Sequence, residues 1–318
     1  MSERDQHVMA DGGDVLIDER LRLVLLCAHP RLSREAAAAL TLRLVMGVPT
    51  EEIARLFLVP TATMAARLTR ARKKLAGAEF TIPPPSALVA RVAVVADIAY
   101  LAFTAGYAPG SGADVLRPEP AGEALRLVRV LRSVLPADVD RSELDALLAL
   151  MIFQHARRDA RVRDGELVLL PDQDRGRWHF DEIHEAMALL TPLTAAPAAP
   201  YLLQALVAAE HSITASAEET AWDRIVQRYD ELLALAPTPV TRLNRAVAVA
   251  ERDGPAAGLA ALEGVALPGH RLPAVRAELL LRSGRPAEAL KAYDAAIALC
   301  RNEAERTHLR ARRDQAIW

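Results

Sequence analysis

The segment that decides the fold is TEEIARLFLVPTATMAARLTRARKKL, residues 50–75. Its pattern predicts two short helices joined by a tight turn. In the first helix, Ile53, Ala54 and Phe57 recur at helical spacing. Pro60 follows shortly afterwards; it has no N–H to donate and its φ is fixed, so the first helix must end before it. The segment therefore predicts a second helix that begins after Pro60 and crosses the first.

The second helix, expected from about Thr61 to Leu75, combines an apolar stripe with a basic surface. The apolar residues, spaced i, i+4, i+7 and i+11, are Met64, Leu68, Ala71 and Leu75. A polar beginning and a basic C-terminal half are typical of a helix that lies in the DNA major groove, although a helical hairpin with a solvated basic face has the same pattern. The candidate DNA-binding residues are Thr61, Thr63, Arg67, Arg70, Arg72, Lys73 and Lys74.

Residues 50–75 resemble region 4 of bacterial sigma factors of the extracytoplasmic-function type. The resemblance continues upstream through DERLRLVLLCAHPRLSREAAAALTLRLVMGVP, residues 18–49. It continues downstream through YLAFTAGY at 100–107, LALMIFQHARRDAR at 148–161, GELVLLPDQDRGRW at 165–178 and LNRAVAVAERDGPAAGL at 243–259. Together these segments resemble the sigma group with a long C-terminal helical extension of tetratricopeptide-like repeats. The resemblance implies promoter DNA and the RNA polymerase core as partners, and a regulatory protein as a partner of the extension.

The sequence departs from that sigma group in two respects. Members of the group begin with region 2, which melts promoter DNA, whereas only about fifteen residues precede the region 4-like part here, too few for an independent domain. We therefore expect that the chain as given does not open a promoter by itself. Ala65 and Ala66 stand where relatives often present polar side chains, and alanine donates no hydrogen bond to a base. Sequence readout is thus expected to rest on Arg67 and Thr63.

The composition predicts an all-α protein that does not bind nucleic acid through its overall charge. The hydrophobic fraction is 52% and comes largely from Ala, Leu and Val, with only 4% aromatic residues, which favours helices. The formal net charge of the 318 residues is −2, so any nucleic-acid contact must be local. Cys27 and Cys300 lie too far apart in sequence to indicate a disulfide framework. Without a signal-peptide pattern or a long apolar run, we expect a cytoplasmic protein with no membrane partner.

The chain divides into four predicted parts. These are a disordered N-terminus at 1–15, a region 4-like helix-turn-helix domain at 16–80, a helical bridging domain at 81–200 and tetratricopeptide-like repeats at 201–318. Consecutive prolines at 83–85 mark the clearest boundary, since they favour an extended spacer. ELVLLP, residues 166–171, is expected to be an extended connector or the arm of a small hairpin. The helices expected before residue 200 are 18–29, 33–46, 87–103, 123–135, 144–158 and one starting near Asp181, with a loop at 106–120.

The last third of the chain contains an internal repeat. RAVAVAERDGPAAGL at 245–259 aligns with RAELLLRSGRPAEAL at 276–290, an offset of 31 residues, and Tyr229 lies 64 residues before Tyr293. A period in the low thirties with proline opening the second helix is typical of tetratricopeptide-like helical pairs, and a generic bundle of helical hairpins is the alternative. The expected helices are 222–235, 240–252, 255–262, 272–282 and 286–300.

Residues 179–184, HFDEIH, are the first candidate for catalytic or metal chemistry. Their spacing is not that of HExxH, which places two imidazoles on one face of a helix. We interpret Asp172 and Asp174 instead as residues that cap or brace the turn before the helix near Asp181. The ion partners expected for these aspartates are Arg175 and Arg177.

Cys27 and His29 are the second candidate, for a zinc site. A zinc finger needs a second pair of ligands, and none lies within finger spacing. A buried thiol and a histidine at a helix end before Pro30 are expected instead. The sequence therefore predicts a protein that is not an enzyme and has no cofactor and no metal site.

Two functions from different classes remain open. The first is transcription initiation, with the region 4-like unit on the upstream promoter element and on RNA polymerase. The second is a helical-repeat interaction module that no longer reads DNA. The basic second helix and its turn favour the first function, whereas Ala65, Ala66 and the short N-terminal segment favour the second.

Overall fold

The computed structural model describes residues 23–25, 27–77, 85–136 and 138–317. Over these residues the fold is all-α, as predicted, apart from two strands of two residues each. The chain forms two compact units. The first comprises the chain up to Ala108 together with Arg117–Leu148, and the second comprises Pro109–Leu116 together with the chain from Ala149 onwards. None of the described helices has the length and apolar character that a membrane span requires.

Among the described residues, five complete helices and the first half of a sixth belong to the first unit. They are α1 Arg34–Leu44, α2 Thr50–Leu56, α3 Thr61–Leu75, α4 Pro85–Tyr107, α5 Pro118–Val134 and α6 Ser142–His155. The hydroxyl of Ser33 caps α1 by accepting from the N–H of Ala36 at 3.3 Å. Helix α1 packs against α2, α3 and α4, and α4 packs along α5. The two core helices α1 and α4 therefore hold the α2–α3 pair.

Gly106 permits the close approach of α4 to the beginning of α5. A Cβ atom at this position would lie 2.7 Å from the backbone nitrogen of Ala121 and 3.0 Å from the carbonyl oxygen of Arg117. The N–H of Arg117 donates to the carbonyl of Gly106 at 2.7 Å. Only glycine fits between these backbones, so this residue sets the spacing of the two helices.

Several predicted boundaries in this unit were wrong by a few residues. Helix α5 begins at Pro118 rather than near residue 123, because prolines are tolerated in the first turn, where the N–H has no partner. The predicted loop at 106–120 is correspondingly shorter. Helix α6 begins at Ser142 and ends at His155. The predicted disordered N-terminus and most of the proline spacer lie outside the described residues, as does most of the helix expected at 18–29, of which residues 23–25 and 27 are helical.

After Pro109–Leu116 and the second half of α6, the second unit continues with a small hairpin and a series of helices. Strand β1, Val162–Arg163, pairs antiparallel with β2, Glu166–Leu167. Asp164 and Gly165 connect them with φ values of 54° and 81°, the conformation of a two-residue hairpin turn. The predicted extended run is thus shorter than expected and is followed by a 3-10 turn at Leu170–Asp172. The helices are α7 Phe180–Leu190, α8 Pro200–Ser212, α9 Trp222–Leu235, α10 Pro239–Asp253, α11 Pro255–Ala261, α12 Arg271–Arg282, α13 Pro286–Leu299 and α14 Glu303–Gln315.

Helices α8 to α14 pack consecutively, each against the next in sequence. Pro255 and Pro286 each occupy the first turn of a helix, which confirms the predicted proline positions. Tyr229 packs with residues of α8 and α10, and Tyr293 packs with residues of α12 and α14. The two tyrosines therefore hold similar positions between neighbouring helices, although Tyr293 is fully buried and Tyr229 only half-buried.

Candidate nucleic-acid interface

The turn between α2 and α3 is closed by backbone hydrogen bonds. The N–H of Leu58 donates to the carbonyl of Arg55 at 3.0 Å, and the N–H of Val59 donates to the carbonyl of Ala54 at 2.9 Å. Leu58 has a φ of 53°, which is the left-handed conformation that ends a helix sharply. Pro60 is extended and precedes the first residue of α3, as the sequence predicts. The segment is therefore a helix-turn-helix.

The apolar stripe of α3 faces the core of the first unit. Its four members are 0–7% exposed: Met64, Leu68, Ala71 and Leu75. Ile53 and Ala54 of α2 are also buried, and α3 packs against both α1 and α2. Burial of this stripe fixes the rotation of α3 about its axis. The side of α3 opposite the core is therefore the side that a DNA groove could receive.

The candidate DNA-binding side chains lie on that outer side. Thr63, Arg70, Arg72, Lys73 and Lys74 are exposed, and Thr61 and Arg67 are half-buried. In the part of the chain that the structure describes, no hydrogen bond or ion pair engages the side chains of the five basic residues. Cations in the last turn of a helix are also stabilised by the helix dipole, so a structural role accounts for part of this pattern.

The start of α3 adds backbone donors to the same surface. Pro60 provides no side-chain cap, and the first turn of α3 contains no acidic residue. The first N–H groups of the helix have no intrahelical acceptor, and the positive end of the helix dipole lies there, an arrangement suited to a DNA phosphate. Ala65 and Ala66 are exposed between this end and the basic half. The outer surface therefore offers contacts to the DNA backbone at both ends and few hydrogen bonds to bases in its middle.

A buried ion pair connects the helix-turn-helix to α5. Glu52 of α2 is 3% exposed and lies 3.2 Å from Nη1 of Arg117 and 3.8 Å from Nη2 of Arg55. Arg117 immediately precedes α5, so the pair joins segments 65 residues apart in sequence. Arg34 of α1 forms a second long-range ion pair, with Asp97 of α4, on the surface of the unit. These contacts were missed by sequence reasoning because charge pairs over such separations leave no local pattern.

A cavity of about 650 Å³ lies beside this ion pair within the first unit. It is bounded by the α1–α2 loop, α4 and the beginning of α5. Residues that line it include Val48, Glu52, Ala102, Gly106, Arg117 and Arg126. Its wall combines apolar side chains with both signs of charge, so its chemistry does not identify one class of ligand.

The HFDEIH segment is part of an ionic network rather than a metal site. Glu182 accepts hydrogen bonds from Arg158 at 2.8 and 2.9 Å and lies 3.0 Å from Nδ1 of His155. Nε2 of His179 lies 2.7 Å from the carboxylate of Asp159. Burial tends to raise the pKa of Glu182, but the neighbouring His155 and Arg158 lower it overall. The network ties the end of α6 to α7, which is a structural task.

The capping role predicted for Asp174 is confirmed, whereas the roles predicted for Arg175 and Arg177 were wrong. Asp174 caps the following 3-10 turn by accepting from the N–H of Gly176 at 2.9 Å, as expected. Arg175, however, donates to the carbonyls of His211 and Thr214 at 3.1 and 2.7 Å and stacks over Trp178, with 4.4 Å from its Cζ to the ring centroid. Arg177 donates to the carbonyl of Val162. Both guanidinium groups lie next to backbone carbonyls, and that of Arg175 also lies over an aromatic ring. They therefore bind there instead of pairing with the aspartates.

Cys27 and His29 have the surroundings of structural residues. Cys27 is half-buried, and burial raises the pKa of its thiol despite a hydrogen bond with Thr41. Nδ1 of His29 accepts a hydrogen bond from the N–H of Arg31 at 3.1 Å. The imidazole thus supports the turn after the first helical segment.

The chain is similar to known proteins in two segments and over most of its length. Residues 22–75 match the model of sigma-70 region 4, and residues 91–193 match that of a family of unknown function, DUF6596. The chain is 40% identical over 307 residues to the uncharacterized protein R00370 of Rhizobium meliloti (strain 1021), an alignment that covers 93% of this chain and 71% of that protein. No solved structure matches the chain. The resemblance of residues 50–75 to a sigma factor region 4 is thereby confirmed.

Proposed function

The chain belongs to the family of the Rhizobium meliloti protein R00370 and contains a sigma-70 region 4, and from this premise we propose that it is a sigma-factor-like protein of transcription initiation. In this proposal α3 lies in the major groove of the upstream promoter element. The region 4 unit also contacts RNA polymerase, the usual second partner of a region 4. The protein acts by binding and is not an enzyme.

One observation carries the proposal. Within the segment that matches region 4, the apolar stripe of α3 is buried while its basic side chains remain exposed. Arg70, Arg72, Lys73 and Lys74 can approach phosphates without first breaking an ion pair within the described part of the chain. Lysine and arginine contacts to phosphate release counterions and supply sequence-independent affinity. Arg67 lies closer to the core and is the candidate for a base contact.

We further propose that the protein is of the extracytoplasmic-function type with a tetratricopeptide-like extension, residues 201–318. Support comes from the repeat offset of 31 residues and from the small residues where helices cross. Gly258 of α11 and its aligned residue Ala289 of α13 are both buried in the helix packing. In this proposal the extension binds a regulatory protein, because stacked helical pairs present an extended surface.

The test is binding of the full-length protein to duplex DNA as a function of salt concentration. We expect the triple variant Arg70→Ala, Lys73→Ala, Lys74→Ala to bind all sequences more weakly and to show a shallower salt dependence, by about one unit of slope per cation removed. The matched control removes three exposed arginines outside the first unit, Arg242, Arg276 and Arg301, and should leave DNA binding unchanged.

The variant Arg67→Ala separates base-specific recognition of DNA from sequence-independent electrostatic attraction to its backbone. If Arg67 contacts a guanine through both of its terminal nitrogens, its loss should reduce discrimination between sequences by about 1–3 kcal/mol while leaving the salt slope nearly unchanged. Selection from a random duplex library supplies the preferred sequence for this comparison. Co-purification with core RNA polymerase tests the second partner.

A helical interaction module that does not read DNA is the second candidate function. The exposed Ala65 and Ala66 favour it, because they offer no hydrogen bonds to base edges in the middle of α3. If the full-length protein fails to bind duplex DNA even at low ionic strength, this second function replaces the first.

A further inference from the structure

Three side chains of the kinds that ligate metals meet at the ends of the last three described helices. His270 immediately precedes α12, Cys300 follows the last residue of α13, and Glu305 lies in the first turn of α14. Their ligand atoms all lie within 4.8 Å of one another. Nε2 of His270 is 2.9 Å from Oε2 of Glu305. The site brings together an imidazole, a thiol and a carboxylate from three separate elements.

The backbone around these side chains is held by helix-end hydrogen bonds. The carbonyl of His270 accepts from the N–H of Ala274 at 2.9 Å, and the N–H of Cys300 donates to the carbonyl of Ala296 at 2.9 Å. Asn302 is buried and caps α14 by accepting from the N–H of Glu305 at 3.0 Å. The positions of the three candidate ligands are therefore set by secondary structure rather than by mobile loops, which favours a preorganised site.

Asn302 also fixes the site to the loop at the start of the second unit. Its side-chain amide donates to the carbonyls of Pro109 at 3.1 Å and Asp114 at 2.8 Å. The N–H of Glu303 donates to the carbonyl of Gly112 at 2.8 Å. The beginning of α14 is thus also held by contacts that do not involve the three side chains.

The burial of the three groups suits a small ion and excludes a larger ligand. Cys300 is 3% exposed, and the side chains of His270 and Glu305 are 14% and 23% exposed. An ion with a bound water could enter from the His270 and Glu305 side, whereas an organic substrate could not reach the sulfur. A thiol this deeply buried is a poor nucleophile for a large substrate, so a hydrolase-like role is not favoured.

We propose that His270, Cys300 and Glu305 form a zinc-binding site that joins α12, α13 and α14, with a water as the fourth ligand. Zn²⁺ accepts nitrogen, sulfur and carboxylate oxygen ligands at about 2.0–2.3 Å in tetrahedral geometry. Such bond lengths place the ligand atoms about 3.3–3.8 Å apart, so the observed cluster needs only small side-chain movements. The mixed donor set, with its thiolate, favours Zn²⁺ over Mg²⁺ or Ca²⁺, which prefer oxygen ligands.

Metal binding must displace protons from this site. Burial lowers the pKa of His270, but hydrogen bonds and charge interactions with Cys300 and Glu305 raise it to about 9 in the metal-free protein. Arg306, whose guanidinium interacts electrostatically with Cys300, is the neighbouring cation. Zinc would therefore replace the proton of His270, and a bond from the metal to the sulfur of Cys300 would replace hydrogen bonds of the cluster.

The test uses the full-length protein after removal of metals with a chelator. One equivalent of Zn²⁺ should bind and raise the thermal unfolding midpoint. Co²⁺ in place of Zn²⁺ should give a thiolate-to-cobalt charge-transfer band and the visible absorption of a tetrahedral site. The absence of that band in the wild-type protein would overturn the proposal, whatever the variants show, and would leave the three groups as a hydrogen-bonded cluster.

Variants assign the ligands. Cys300→Ser should abolish the charge-transfer band, and Glu305→Gln should weaken zinc binding at least tenfold while retaining the band. The control Cys27→Ser removes the other thiol and should leave band and affinity unchanged. Loss of the band in Cys27→Ser but not in Cys300→Ser would contradict the assignment.

If Cys300→Ser does not fold, as judged by circular dichroism, His270→Asn and Glu305→Gln decide the question through their zinc affinities. DNA binding plays no part in this test, so its outcome is independent of the proposed transcriptional function.

Discussion

At the scale of single residues, the environment of His211 makes the stability of the second unit sensitive to acid. His211 belongs to α8, and its ring meets the edge of Trp222 with 5.3 Å between centroids. Burial, followed by the positive charges of Arg157 and Arg175, lowers its pKa from 6.5 to about 4. The folded protein therefore keeps this imidazole neutral at a pH where the unfolded chain would protonate it.

The sign of the resulting pH dependence follows from linkage. Because the unfolded state binds more protons between pH 6.5 and pH 4, the contribution of His211 is present above pH 6.5 and is lost as the pH falls towards 4. Urea unfolding followed by tryptophan fluorescence should show a loss of up to about 3 kcal/mol from this group across that range. In His211→Phe, which keeps an aromatic ring beside Trp222, the loss should be smaller by that amount.

The control for this prediction is His184→Gln, since His184 is an exposed histidine of α7. It should leave the pH profile of unfolding unchanged. An identical acid dependence in the wild type and in His211→Phe would show that other groups determine the acid sensitivity.

At the scale of secondary-structure elements, rules about proline predicted helix starts well. Pro60, Pro255 and Pro286 mark the beginnings of helices because their effect on the backbone is local. Pro118 likewise opens α5, five residues before the predicted start at residue 123. The apolar stripe of α3 was also predicted from residue spacing alone.

The features that sequence reasoning missed depend on contacts between distant segments. Glu52 and Arg117 are 65 residues apart, and nothing near either residue indicates which charge it meets. His270, Cys300 and Glu305 also lack motif spacing, since three helix ends bring them together. Candidate DNA-binding residues could be named from the sequence, but which of them the helix packing leaves exposed required the fold.

Gly258 offers a test of the repeat packing at this scale. A Cβ atom here would lie 2.5 Å from Cβ of Ala250 and 3.0 Å from the carbonyl oxygen of Ala246. Helix α11 would have to move away from α10, so Gly258→Ala should destabilise the second unit by about 1–3 kcal/mol in chemical denaturation. This is contrary to the usual gain when alanine replaces glycine in a helix.

Gly122→Ala is the matched control. Gly122 lies within α5, and no heavy atom of the surroundings lies within 4 Å of the position its Cβ would take. That substitution should stabilise the protein by about 0.5–1 kcal/mol, because alanine has the higher helix propensity. If both substitutions stabilise equally, the close packing of α10 and α11 is not a constraint on the fold.

At the scale of the whole molecule, the division into two compact units separates DNA contact from the helical repeats. All candidate DNA-binding residues belong to the first unit. The net charge of −2 gives DNA no general attraction, so affinity depends on how firmly the first unit holds α3. The buried Glu52–Arg117 pair, which connects α2 to the beginning of α5, is one determinant of that rigidity.

The contribution of the Glu52–Arg117 pair to the stability of the first unit can be tested by following the unfolding of each unit separately. Trp178 and Trp222 belong to the second unit, and the described part of the first unit contains no tryptophan, so tryptophan fluorescence reports on the second unit while circular dichroism reports on both. Arg117→Met leaves a buried carboxylate without its closest guanidinium and should cost the first unit about 3–5 kcal/mol. The circular dichroism transition should then shift to lower denaturant while the fluorescence transition stays in place.

The double variant Glu52→Gln, Arg117→Met distinguishes a lost ion pair from lost packing. Removing the charge of Glu52 relieves the cost of leaving it buried and without this partner, so part of the stability of the first unit should return. If the double variant is as unstable as Arg117→Met alone, then Arg117 acts through its packing. If the fluorescence transition moves together with the circular dichroism transition, the loss of stability is not confined to the first unit, and the prediction is wrong.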